Sequence, residues 1–112
     1  MTKPSYRALK MGLHKLRALD NPVRKRIIRF LDQGSNDVSH IMWHIREEQS
    51  VTSQHLAILH RAGFVTREQA GKHVIYSLNY YEIDRVSDIC SELAQGVESQ
   101  SPVRRSYERS IY

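Results

Sequence analysis

The sequence predicts a small, mainly helical α+β domain: four helices, a β-hairpin and a closing helix, in the order α-α-α-α-β-β-α. Three observations predict it. Apolar residues recur at helical spacing over four successive segments, each bounded by capping residues, prolines or glycines. The period then shortens to two around Gly71, the signature of paired strands. Beyond the hairpin an apolar seam repeats at spacings of 3, 4, 3 and 4 through Ile83, Val86, Cys90, Leu93 and Val97, with Ile89 alongside.

The first helix is expected from Tyr6 to Leu19, with Tyr6, Leu9, Leu13 and Leu16 on one stripe. Asp20-Asn21-Pro22 breaks it and opens a second helix. Asn21 suits the cap, and Pro22 the first helical position, where its missing N–H is not needed. Val23, Ile27, Phe30 and Leu31 give that helix its inner face, and Gly34 ends it. A short third helix follows over residues 36–45, capped by Ser35 or Asn36, with Val38, Ile41, Met42 and Ile45 as its stripe. Trp43 on the same helix has two readings, filling the core edge or serving a partner surface, and the core is the favoured one. A polar turn, Arg46-Glu47-Glu48-Gln49, leads to a fourth helix over residues 49–62. Thr52, Leu56 and Leu59 face inward there, which leaves Gln49, Ser50, Ser53, Gln54, Ala57 and Arg61 outside. Two strands lie within residues 64–79, joined by the loop Gln69-Ala70-Gly71-Lys72, and a last helix covers residues 81–96. Residues 1–96 read as one domain, and the Ser-, Gln- and Arg-rich residues 97–112 as a flexible tail.

Composition narrows the partners. The 112 residues carry a net charge of +5, and the mean hydropathy of −0.54 fits a soluble domain. No apolar run approaches the roughly 18 residues of a membrane span, and no secretory leader is expected. The single cysteine, Cys90, excludes an intrachain disulfide, so a reducing, cytoplasmic setting is expected. The charge is unevenly placed: from Lys3 to Arg29 there are nine Lys or Arg against one acid, Asp20. A positive field concentrated in this way steers phosphates. Enzyme motifs are missing: there is no phosphate loop, nucleophile elbow or glycine-rich dinucleotide turn, and no cofactor is expected.

The order helix, turn, helix, hairpin carries the functional expectation. In a helix-turn-helix the second helix enters the major groove and meets base edges with its N-terminal residues. Gln49, Ser50, Ser53 and Gln54 are short or flexible donors and acceptors without negative charge, suited to base edges and phosphates. The plainer reading of that face is a solvated polar surface. Arg67 and Lys72 near the hairpin tip would lie along the phosphates or enter a minor groove as a wing, and His55 would orient the helix, touch a phosphate or equally serve a plain structural role.

Three stretches together resemble the ArsR/SmtB-type family of winged helix-turn-helix repressors. Residues 49–65 are similar to its recognition helix, residues 71–78 to its wing, and residues 19–24 to the loop opening its second helix. Glu47-Glu48 stands where the family has a Leu-Ser pair. The resemblance spans residues 6–95. It implies a homodimer built on the first and last helices that binds operator DNA and represses transcription. It also implies that Gln49, Ser50, Ser53 and Gln54 read bases and phosphates; the residues themselves add Arg61, His55, Arg67 and Lys72 to the expected DNA-binding set. Two-fold symmetry predicts a palindromic operator. The expected interface comprises Leu9, Leu13 and Leu16 with Ile83, Val86, Cys90 and Leu93.

Many members of that family sense metals. Asp37 and Ser39 occupy the positions of its Cys-x-Cys pair, and the last helix has Glu82, Asp84, Asp88 and Glu92 but no histidine. Cys90 is alone on the apolar seam and reads as a small hydrophobe. One alternative remains: Asp37, His40 and His44 fall at i, i+3 and i+7 and could hold zinc or nickel in a metal-responsive repressor. The plainer reading is a polar helix face. A further alternative is a winged-helix module that binds protein instead of DNA. The sequence names no inducer.

Overall fold

The computed structural model describes residues 6–98. Its elements are α1 (Tyr6–Leu19), α2 (Pro22–Asp32), β1 (Asn36–Asp37), α3 (Val38–Ile45), α4 (Gln49–Arg61), β2 (Val65–Ala70), β3 (His73–Leu78) and α5 (Tyr80–Glu98). Five helices and an antiparallel hairpin thus appear where the apolar periods place them. The expected tail from residue 97 enters α5 for its first two residues, and residues 99–112 lie outside the described ones.

The α1–α2 break follows local chemistry. Asn21 is extended at φ −155° and ψ 131°, and its side-chain oxygen accepts from the N–H groups of Val23 and Arg24 at 2.9 and 3.1 Å. Two of the orphan donors of the helix start are thereby satisfied, with Pro22 beside them. Arg24 turns back and donates to the Ala18 carbonyl, and at 3.4 Å to that of Arg17, closing the end of α1.

One strand escapes the sequence reading. Asn36–Asp37 pairs antiparallel with the outer edge of β3, Asn36 opposite Tyr76 and Asp37 opposite Ile75. The hairpin is therefore part of a three-stranded sheet in the order β1-β3-β2. The strand also moves the start of α3. Its cap is Asp37, whose carboxylate accepts from the His40 N–H at 2.9 Å, and not Ser35 or Asn36. Two residues are too short to show a period, and their pairing partner lies some forty positions away.

The core is one cluster. Ile27 and Leu31 of α2, Ile41 and Ile45 of α3, and Leu56 and Leu59 of α4 meet Phe64, Val65 and Leu78 of the hairpin. Ala18, Ala62 and Val86 complete it. Burying each large aliphatic or aromatic side chain contributes about 1.5–3 kcal/mol. Thr52 is also fully buried, and its hydroxyl donates to the Glu48 carbonyl at 2.9 Å, so the polar group is not left unmet. Trp43, expected in this core, is 84% exposed. Ile41 and Ile45 fix the inner face of α3, and a residue two positions after Ile41 projects from the far side of the helix.

A polar knot joins the C-terminal end of α4 to α1 and α5. Gly63 takes φ +88°, and Glu82 lies directly beyond it, where a side chain at residue 63 would sit. Lys15 pairs with Glu82 and donates to the Ala62 carbonyl at 3.2 Å. Asn79 donates to the Gly63 carbonyl at 2.9 Å. Glu82 is thus buried but paired.

Candidate nucleic-acid interface

The packing of α4 presents a defined polar face. Thr52, Leu56 and Leu59 are buried, at spacings that leave the opposite side of the helix open. Gln49, Ser50, Ser53, Gln54, Ala57 and Arg61 are all exposed there, as the spacing predicts. No carboxylate stands on this face within the helix. Arg61 folds back and donates from Nε to the Ala57 carbonyl at 3.4 Å.

The start of α4 bears on its aim. Glu48 is the cap residue, extended at φ −68° and ψ 157°, and it makes no side-chain cap bond. The helix nevertheless begins at Gln49, the expected position. The turn before it is closed by Arg46, which takes the left-handed conformation at φ 57° and ψ 49°. It is the one described non-glycine residue with positive φ. Arg26 reaches this turn, donating to the Ile45 carbonyl at 3.1 Å and lying 3.9 Å from the Glu47 carboxylate.

His55 is half-buried between α4 and α2. Arg24 donates from Nη1 to His55 Nδ1 at 3.2 Å. An arginine does not give up its charge, so Nδ1 must be the unprotonated acceptor of the ring. Burial lowers the pKa of His55 first and the Arg24 guanidinium lowers it further, against a smaller opposing pull from Glu47. His55 is therefore an orienting contact for α4, held neutral, and its Nδ1 is already occupied.

The hairpin stands away from the core. Val65 is buried, whereas the other five residues of β2 are exposed. Its turn is tighter than expected: Ala70 pairs with His73, so Gly71 and Lys72 alone form the loop. Gly71 has φ +63° at the first central position, where a II′ turn takes glycine. Gln69 belongs to β2 and braces the tip by donating to the Gly71 carbonyl at 2.9 Å. Arg67 and Lys72 are both exposed.

The candidate metal triad is not assembled. Asp37 accepts from His40 Nδ1 at 2.7 Å, but the His44 ring stacks on Phe30 at 4.1 Å between centroids and 19° between planes. The second histidine beside Asp37 is His73 of the hairpin, at 3.4 Å. Among the described residues no group of three His, Cys, Asp or Glu is placed to hold a metal ion. The His40 N–H and ring, with the charge of His73 behind them, hold the Asp37 carboxyl below its ordinary pKa. Asp37 is thus a cap and a tie between α3 and the hairpin, a role the sequence reading missed.

The expected interface residues divide between the surface and the core. On α1, Leu9 is 39% and Leu13 57% exposed, with Tyr6 open beside them and Met11 exposed on the opposite side of the helix. Leu16, Ile83 and Cys90 are half-buried against the chain's own core, and Val86 is within it. The side chain of Leu93 lies outside the described ones.

Comparison with known proteins places this geometry. Residues 21–67, from the cap of α2 into β2, match the profile of the bacterial regulatory proteins of the arsR family. Over 63 residues the chain is 41% identical to the HTH-type transcriptional repressor SmtB of Mycobacterium tuberculosis, which covers 56% of this chain and 47% of that protein. The chain thus spans about half the length of the curated relatives it matches. A crystal structure of a possible transcriptional regulator for arsenical resistance superposes with TM-score 0.65 at 26% identity, covering 78% of this chain and 96% of its own. The homodimeric winged helix-turn-helix DNA-binding domain of a possible ArsR-family regulator from Mycobacterium bovis shares the fold, with TM-score 0.67 at 23% identity over 85% of this chain and 91% of that one.

Proposed function

We propose that the protein, whose residues 21–67 match the arsR-family profile, is a homodimeric transcriptional repressor acting on operator DNA in the cytoplasm. Helix α4 enters the major groove, and the β2–β3 hairpin lies along the phosphates as a wing. The observation that carries this reading is the acid-free outer face of α4, held out by the burial of Thr52, Leu56 and Leu59. Gln49 and Gln54 supply amides that pair with adenine, and Ser50 and Ser53 supply hydroxyls for base edges or phosphates. Arg61, Arg67 and Lys72 add charge, and His55 aims the helix through Arg24.

The dimer uses the open stripe of α1. Tyr6, Leu9 and Leu13 are a costly surface to leave in water on so small a chain. A second copy covers them, extended by the outer edge of the Ile83–Cys90 seam of α5. Two copies of α4, about one DNA turn apart, then read the two halves of a palindrome. The described residues 6–98 form this working unit. The regulatory family gives no place to catalysis, and no described helix is long and apolar enough to cross a membrane.

Binding to a duplex from the gene's own promoter region, with an unrelated duplex as reference, tests this reading. Ser50→Ala and Gln54→Ala should each lose about 1–3 kcal/mol of specific binding and relax base preference. Lys72→Ala should weaken both duplexes alike, with a shallower salt dependence. Equal affinity of the wild-type chain for the two duplexes, unaltered in the α4 variants, overturns the assignment.

A further inference from the structure

A basic surface on α1 adjoins the C-terminal end of the α4 face, at Arg61. On α1, Arg7, Lys10, His14 and Arg17 recur at spacings of 3, 4 and 3 and are all exposed, about a quarter-turn from the apolar stripe. They border two open grooves against the end of α4, of about 520 and 390 Å3. The grooves share His14, Arg61 and Ala62, so they form one continuous trough. Arg24 closes its far end and is bonded to His55 of α4. Lys15 is spent on Glu82. Among the described residues, none of Arg7, Lys10, Arg17, Arg24 or Arg61 has a carboxylate within 4.0 Å.

We propose that this trough carries a stretch of sugar–phosphate backbone of the duplex that α4 reads, as a second phosphate-binding surface. The proposal rests on the DNA reading above. Three features favour a nucleic-acid strand as occupant. From Arg7 to Arg17 the α1 stripe advances ten residue steps, about 15 Å at 1.5 Å each. That is the scale of several successive phosphates, at about 3.4 Å of axis per strand, and too long for one small anion. The trough is open, so a strand can pass along it. Through Arg24 and His55 it also runs directly into the helix that bears Ser53 and Gln54. Arg7, Lys10 and Arg17 hold phosphates by charge, and Arg24 doubles as the brace that closes α1. The other occupant with matching charge is the exposed acidic row of α5, Asp84, Asp88 and Glu92, of a second copy.

The test uses the full chain and a triple variant, Arg7→Gln, Lys10→Gln, Arg17→Gln, on the promoter duplex and on the unrelated duplex. Affinity is measured between 50 and 200 mM salt, conditions that span about 10³–10⁵ in affinity for 6–10 phosphate contacts. The variant should lose affinity for both duplexes by the same factor, at least tenfold at low salt. Its plot of log affinity against log salt should be shallower by about 0.9 for each contact removed. A second variant, Arg7→Lys with Arg17→Lys, keeps the charge and should retain the wild-type slope. An unchanged slope in the glutamine variant overturns the proposal, as does an equal loss in the lysine variant. Loss of self-association with intact DNA binding also overturns it and assigns the trough to the second copy. The two readings fail separately. A wild-type chain that binds neither duplex removes the DNA reading itself, whereas normal binding with an indifferent trough removes this inference alone.

Discussion

Arg24 donates to His55 Nδ1 across 3.2 Å and so ties the start of α2 to the exposed helix α4. The same guanidinium closes the carbonyl end of α1. One side chain therefore links three helices.

This bond has a pH signature. The ordinary imidazole value is near 6.5, and the folded chain holds His55 below it. The folded state thus binds this proton less readily than the unfolded one, and stability rises with pH between the two values. It should be fully present above about pH 6.5 and should decline as pH falls through the lowered folded value. His55→Gln removes that component, so urea unfolding between about pH 5 and pH 7 should show a flatter profile for the variant. The other lowered group, the carboxyl of Asp37, titrates in a more acid window. Parallel pH profiles for the two proteins would refute the assignment.

Glu48 is the second lever. It caps α4 without a side-chain bond and puts a negative charge at the entrance of the reading helix. Glu48→Ser supplies a side-chain acceptor for the helix start and removes a charge that repels phosphate. Affinity for duplex DNA should rise severalfold at low salt, and the gain should shrink as salt screens it. An affinity that stays the same or falls at low salt would count against the placement of this end near DNA.

The apolar stripe of α1 gives a third test. Leu13 is 57% exposed in the single chain. Leu13→Arg should leave the fold intact and abolish self-association, so that sedimentation gives the 13.1 kDa of one chain. The wild-type protein should sediment at twice that mass. A monomeric wild type, or a variant that still pairs, contradicts the interface.

Most of the fold was legible because its signals are local. Asn21-Pro22 writes the start of α2, Gly71 the hairpin turn, and Thr52, Leu56 and Leu59 the orientation of α4. What escaped depends on contacts far apart in the chain. Strand β1 exists only through Tyr76 and Ile75, and the Arg24–His55 bond joins residues 31 apart. His44 shares a helical stripe with Asp37 and His40, yet the neighbouring Phe30 ring of α2 draws it away. Trp43 is different, because the spacing of Ile41 and Ile45 already turns it outward. Its size and apolar character suggested the core, but the period decides.

Selection of binding sites from a random pool of duplexes by the purified full chain tests the central claim most directly. The account expects enrichment of an inverted repeat whose half-sites are about one helical turn apart. That enrichment should disappear for the double variant Ser50→Ala, Gln54→Ala. A pool that remains unenriched after selection with the wild-type protein would contradict it.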